Sequence, residues 1–409
     1  MATATATRGG PTSAPTPFGP FVAAVLVVVA ACSGPVTPSA APPASSGSVP
    51  SAPSSAGPAS PADSAAPAAT VRLQLESSPR AQFAGYFAAE RLAYYKAENL
   101  TVAILAGGAN VVPQQVGSTP DGPEFTISWV PKVLQAREGG SDLIDIAQVF
   151  QRSGTVSVTW KDTGIDDPCK LAGKKVGTWG HGDEFEVTAG LLRCGLTPGL
   201  EANGKPDSRY QQVVQASDMK AFLARDIDAA EAMIYDEYAE VLETTDPATG
   251  QLYKPDQLNV LDWNDYRVAM LQDAIFARRA WLDQATNRDV AVRFIRASLK
   301  GWIYCRDHPD ECVQYAIEAG RQLGAGHQGW MMNEVNALVW PSPAGVGVVD
   351  PILWAQTVKI ARGAGIIKAD PGTAAYRTDL VTQALAGITG DTKDTAFKKA
   401  TVVVTPGGS

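Results

Sequence analysis

The chain has 409 residues, 45% hydrophobic and 19% charged, with a formal net charge of -8 at neutral pH. It contains no basic run, and adjacent lysines occur only as Lys174-Lys175 and Lys398-Lys399, which excludes a nucleic-acid partner and a membrane contact that depends on a polybasic patch. His181, His308 and His327 are dispersed and no CxxC pair exists, so neither the histidines nor the cysteines are spaced for a zinc centre and no metal is expected.

The first apolar run, FVAAVLVVVAA at 21–31, is about half the length of a membrane-crossing helix and reads as the core of a signal peptide spanning 1–31. Small residues precede a cysteine in Val29-Ala30-Ala31-Cys32, which resembles a bacterial lipobox and makes Cys32 the expected lipid-attachment residue. Residues 32–70 are almost entirely Ser, Ala and Pro and bury too little surface to offset their ordering entropy, so they are expected to form a disordered tether. An exported, membrane-anchored protein follows, outside the cytoplasm.

From 71 onward short β-rich runs alternate with amphipathic stretches. Expected strands are VRLQL (71–75), VAIL (102–105), FTISW (125–129) and IDIAQVF (144–150), with a helix over about 83–97 and another opened by Pro131. After TVSVTW (155–160) come the strand KKVGTW (174–179), helices over 183–194 and 217–224, the strand AAEAMI (229–234) and LNVLDW (258–263). The strand DAIFA (273–277) then returns to the first unit, and the remainder reads as helical. The expected architecture is α/β and two-lobed, with lobe 1 over 71–153 and 271–405, lobe 2 over 154–270, two chain crossings and a ligand cleft between the lobes.

With Cys32 set aside, Cys169, Cys194, Cys305 and Cys312 remain. They form two close sequence pairs, and of the three possible connectivities 169 with 194 and 305 with 312 are favoured.

Three blocks carry a family likeness: AQFAGYFAAERLAYYKAENLTVAILAGG (81–108), KLAGKKVGTWGHGDEFEVTAGLLRCGL (170–196) and DAAEAMIYDEYAEVL (228–242). They resemble the thiamine-pyrimidine-type substrate-binding proteins of bacterial ABC importers, a family with riboflavin-binding members. The resemblance implies a type II-like periplasmic-binding-protein fold, a planar heterocyclic ligand with riboflavin favoured over a thiamine-type aminopyrimidine, a monomer that serves a permease and an ATPase, and no cofactor. The family also includes enzymes that build the thiamine pyrimidine with pyridoxal phosphate. Their cysteine-rich segment and cofactor lysine are not found in this sequence, so no enzymatic activity and no catalytic residue are expected.

Within TWGHGDEFE (178–186) a strand ends at Trp179, two glycines permit a turn and a helix begins near Asp183. Ligands of open α/β sheets bind at such carboxyl ends of strands. Trp179 is a stacking candidate, with core packing as its rival. Asp183 and Glu184 are either helix-start charges, worth about 0.3–1 kcal/mol each, or acceptors for a ligand. Helical spacing puts Phe83 and Phe87 on one face, toward the core, and Gln82 and Tyr86 on a neighbouring face expected to point into the cleft. Trp129 ends its strand as a further platform, and Gln151 or Arg152 enters the crossing. Of Tyr235, Asp236, Glu237 and Tyr238, two are expected to line the pocket, Tyr235 and Glu237 being preferred. Trp330, Met331, Met332 and Trp340 read as packing of the helical face.

Overall fold

The computed structural model describes residues 66–108, 110–199, 209–320 and 323–409. The leader, Cys32 and the Ser/Ala/Pro segment as far as residue 65 lie outside the described residues. The strands run in chain order as β1 (Ala69–Gln74), β2 (Leu100–Leu105), β3 (Phe125–Ser128), β4 (Leu143–Gln148), β5 (Thr155–Trp160), β6 (Lys175–Thr178), β7 (Thr197–Pro198), β8 (Arg209–Val214), β9 (Ala229–Met233), β10 (Leu258–Asp262) and β11 (Ala274–Arg278). They form two sheets, ordered β2-β1-β3-β11-β4 and β10-β5-β9-β6-β8-β7. In the first, β1 runs parallel to β2 and β3 while β11 lies antiparallel between β3 and β4. In the second, β6 is parallel to β8 and β9, and β5 is antiparallel to β9 and β10. Every residue of β3, β4, β5, β9 and β11 is buried, including the polar Thr, Ser, Asp, Gln and Glu side chains that interrupt the apolar pattern of β3, β4, β5 and β9.

Helices that position the site are α1 (Ala84–Arg91), α2 (Val130–Glu138), α3 (Phe185–Arg193), α4 (Glu237–Glu243), α5 (Ala285–Asp307), α6 (Ala325–Val339) and α7 (Pro351–Gly363). The helix expected over 83–97 is instead a 3-10 turn at Ala81–Phe83, then α1, then one turn at Tyr94–Ala97. Ala93 and Asn99 break it by adopting positive φ of 58° and 55°, which no glycine announces. β8 was not expected either: in RYQQVV only Tyr210 is buried, so no apolar alternation marks it.

The first lobe is tied together where α1 crosses α5. A Cβ on Gly301 would meet the Gly85 carbonyl oxygen at 1.9 Å, and one on Gly85 would meet the Trp302 indole at 2.3 Å. Only glycine allows this approach, and it sets Trp302 edge-on against Tyr86 with ring centroids 5.7 Å apart.

Both disulfides pair as the spacing favours, Cys169 with Cys194 and Cys305 with Cys312. The first fastens the segment before β6 to the end of α3. The second joins the end of α5 to the next helix, Pro309–Ala319. Cys169 is exposed and Cys194 half-buried, whereas Cys305 and Cys312 are fully buried. Under native conditions a mild reductant should therefore open 169–194 well before 305–312. Thiol alkylation followed by peptide mapping reads the order. Loss of the longer loop, 25 residues in sequence separation, should cost roughly 3 kcal/mol in denaturant melts.

Candidate functional site

The chain crosses between the lobes twice, after β4 and before β11, and the two passages are stitched together. The Gly154 amide donates to Gln272 Oε1 at 2.7 Å, and Gln272 Nε2 donates to Thr155 Oγ1 at 2.7 Å. Glu186, the last residue of TWGHGDEFE, clasps both passages: it accepts from the Ser153 hydroxyl and from the Met270 amide, each at 2.7 Å. Burial pushes its carboxyl up to about 8 against those two hydrogen bonds.

Asp273 organises the first-lobe wall. Trp129 Nε1 and Gln82 Nε2 both donate to it at 2.9 Å, so one carboxyl fixes two predicted residues. Burial and the nearby Glu76 raise Asp273 to about 7, opposed by those two donors. Tyr86 is 1% exposed, and among the described residues its hydroxyl makes no hydrogen bond of normal geometry, its near polar neighbour being the Trp302 indole. Burial and then Asp273 hold that phenol well above its usual value. Tyr235, brought in by the second lobe, is also buried, rests edge-on against Phe150 at 6.4 Å, and is raised by burial and by the same Asp273.

Charges bridge the lobes on either side of these rings. Lys132 of α2 reaches Glu76 at 2.8 Å in its own lobe and Asp183 at 2.6 Å in the other, and its ammonium stands 4.4 Å from the Trp129 ring centre. Burial, which lowers an ammonium, is outweighed by the two carboxylates, and Lys132 is raised. At the second bridge Arg80 pairs with Asp236, and His327 of α6 spans Asp236 at 2.8 Å and Glu243 at 3.0 Å. Burial lowers this imidazole, but hydrogen bonds to Asp236 and Glu243 lift it to about 10. Trp330 joins the bridge by donating to the Ile234 carbonyl at 2.9 Å and packing on the second-lobe core, so it does more than pack the helical face.

Trp179 is half-buried against the first-lobe core. Its amide donates to Glu231 Oε2 at 2.9 Å and its indole to the Ala216 carbonyl at 3.2 Å. Neither Asp183 nor Glu184 hydrogen-bonds the start of α3: the first meets Lys132, and the second accepts from the Gly182 amide at 2.9 Å. Glu237 folds back onto the Met233 amide at 3.0 Å and is raised to about 8 by burial and by Asp236. Gln151 turns away from the rings: it donates to the carbonyls of Gln148 and Val348 and lines a cavity of about 290 Å³ at the crossing. Arg152 donates to Pro341 O at 3.1 Å and to other carbonyls after α6.

The structure therefore gathers Gln82, Tyr86, Trp129, Trp179, Asp183 and Tyr235 at the lobe junction and places Gln151 at the crossing, on the cavity of about 290 Å³. Glu76, Arg80, Lys132, Glu231, Asp273 and His327 join them without having been anticipated. Lys132 did carry a signal, since a cation in the first turn of a helix opposes the macrodipole and needs an external reason to be there.

Protons held at Glu186, Glu237 and Asp273 fix a pH dependence. Each has a folded pKa above its ordinary value, so the native state keeps protons that the unfolded chain releases, and stability falls as pH rises from about 4.5 through 8. His327, raised to about 10, adds stability that is full below its ordinary 6.5 and is lost as pH rises through its folded value. The thermal midpoint should be higher at pH 5.5 than at pH 8.5; calorimetry across that range checks it.

A model of the family described as NMT1/THI5 like matches residues 80–312. Riboflavin-binding protein RibY of Chloroflexus aurantiacus is 24% identical over 361 residues, covering 84% of this chain and 92% of that protein. Among solved structures, a ligand-binding component of an ABC-type import system from Staphylococcus aureus, with zinc bound, superposes with a TM-score of 0.53 at 11% identity over 77% of this chain and 98% of that one. The desulfurization enzyme DSZB does so with 0.53 at 14% over 77% and 99%. At these identities the structures show the fold, the two-lobed periplasmic-binding-protein architecture. The family match extends from Arg80 at the lobe junction, through both crossings, to Cys312, more than half of the sequence, and the chain belongs to the NMT1/THI5-like family.

Proposed function

We propose that this chain is the extracytoplasmic substrate-binding subunit of an ABC importer, held to the membrane by a lipid on Cys32, and that it captures riboflavin between its lobes. One observation carries the reading. Among the described residues Glu231 Oε1 is buried without a partner, Glu76 Oε2 and the Tyr86 hydroxyl are buried without a hydrogen bond of normal geometry, their near neighbours being Ser128 and Trp302, and Glu76 and Glu231 lie within electrostatic reach of the same Asp183. Buried polar atoms are normally paired, so three such atoms at a lobe junction rimmed by Trp129, Tyr235 and Trp179 suit a flat ligand that brings its own donors and acceptors. A flavin offers an imide edge, ring carbonyls and ribityl hydroxyls. The RibY relative supports this choice of ligand.

An aminopyrimidine is the second reading, favoured by the carboxyl groups of Glu76 and Glu231, which would face its amino group. An enzyme on this scaffold is a third, since DSZB shares the fold. All four cysteines among the described residues are consumed in disulfides, which leaves no free thiol there for nucleophilic chemistry.

No covalent step is required. Ligand contacts made by both walls favour the closed arrangement, and moving that equilibrium from 1:99 to 99:1 takes about 5.5 kcal/mol of differential binding.

Riboflavin fluorescence should be quenched on titration with the purified protein. Tyr86→Phe should weaken binding about tenfold while leaving the unliganded protein about as stable, because the lost hydroxyl makes no hydrogen bond of normal geometry. Unquenched riboflavin, with thermal stabilisation by 4-amino-5-hydroxymethyl-2-methylpyrimidine instead, would reverse the order of the two ligands.

A further inference from the structure

A cavity of about 680 Å³ lies away from the aromatic junction, between α3 of the second lobe and α7 of the first. This volume is within the range of small-molecule sites. α7 also braces the crossing, where Thr357 Oγ1 accepts from the Leu271 amide at 2.9 Å and Gln356 Nε2 donates to the Ala269 carbonyl at 3.0 Å.

The lining is apolar and cationic at once. Ala189, Leu192, Val268, Ile352 and Ile360 supply apolar surface, Arg193, Arg267 and Lys359 supply charge, and no carboxylate lines the cavity. Leu192 is 40% exposed and Ile352 76%, two large apolar side chains left in water on opposite walls. Arg193 is committed to the Tyr266 and Arg267 carbonyls at 2.8 and 3.1 Å. The side chains of Arg267 and Lys359 are both exposed and make no hydrogen bond or ion pair among the described residues. On a protein of net charge -8, a carboxylate-free groove with two uncommitted cations beside exposed aliphatic side chains is complementary to one kind of molecule, an anionic head on an apolar chain.

We propose that this groove is a second binding site, for a soluble amphipathic carboxylate whose head meets Arg267 and Lys359 and whose alkyl chain lies over Leu192 and Ile352. One wall belongs to each lobe, so the bound chain spans the crossing and couples to the lobe arrangement. The site is independent of what the aromatic junction binds.

Isothermal titration of the full-length protein with decanoate tests it. One equivalent should bind; the double variant Arg267→Gln/Lys359→Gln should weaken binding at least tenfold, and Ile352→Asp should do the same. All of these residues are surface-exposed or groove-lining, so the variants should keep the wild-type circular dichroism and melting curve, and their riboflavin quenching in the absence of decanoate should not change. The proposal fails if decanoate gives no saturable binding, if the double variant binds it as the wild type does, if decyltrimethylammonium binds equally well, or if only phosphatidylglycerol vesicles are retained.

Discussion

The two passages of chain between the sheets meet at a single buried carboxyl group. Glu186 spends both oxygens there, one on the Ser153 hydroxyl of the outgoing passage and one on the Met270 amide of the returning one. A buried carboxyl is costly unless satisfied in this way. Because Glu186 lies in the first turn of α3, and the loop before α3 carries Trp179 and Asp183, the second-lobe wall is fixed relative to the crossing by one short rigid element. Rotation about the crossing moves that wall as a body.

What opposes and favours such rotation is electrostatic. Across the junction Glu76 and Asp183 pair with Lys132, Asp236 pairs with Arg80, and Asp236 and Glu243 pair with His327. Bringing these groups out of water costs several kcal/mol per ion, which pairing repays only with good geometry. Lys132 and His327 each meet two carboxyl groups and are well compensated, whereas Glu76 and Glu231 each keep an oxygen without a hydrogen bond of normal geometry. Closure of the protein alone is thus an exchange of hydration for imperfect pairing. Any ligand would shift such an equilibrium only by its differential contacts with the two arrangements.

The layering, the order of the strands and the return of the chain at β11 were legible because buried strands impose β-branched and apolar runs, whichever lobe they serve. Aromatic candidates at strand ends were legible for a similar reason: Trp129 and Trp179 close their strands where an open sheet presents its ligands. Asp273 was not. It precedes β11 without any local pattern, and its partners Gln82 and Trp129 lie 191 and 144 residues away. His327 was equally silent, since Asp236 and Glu243 reach it only after α6 straps the second lobe. Tyr86 shows the limit from the other side: helical spacing put it on the face expected to point into the cleft, and the side chain takes a core-like burial while its hydroxyl makes no hydrogen bond of normal geometry.

Fold alone does not separate binding from chemistry, as the likeness to both an import component and a desulfurization enzyme shows, so the protonation states of the side chains matter more. Burial holds Tyr86 well above the usual phenol range, which keeps its hydroxyl neutral and removes it as a nucleophile. Glu231 is raised in the same way, with Asp183 the next largest influence. The junction thus combines aromatic rings with charges already paired inside it, Lys132 with Glu76 and Asp183, and His327 with Asp236 and Glu243.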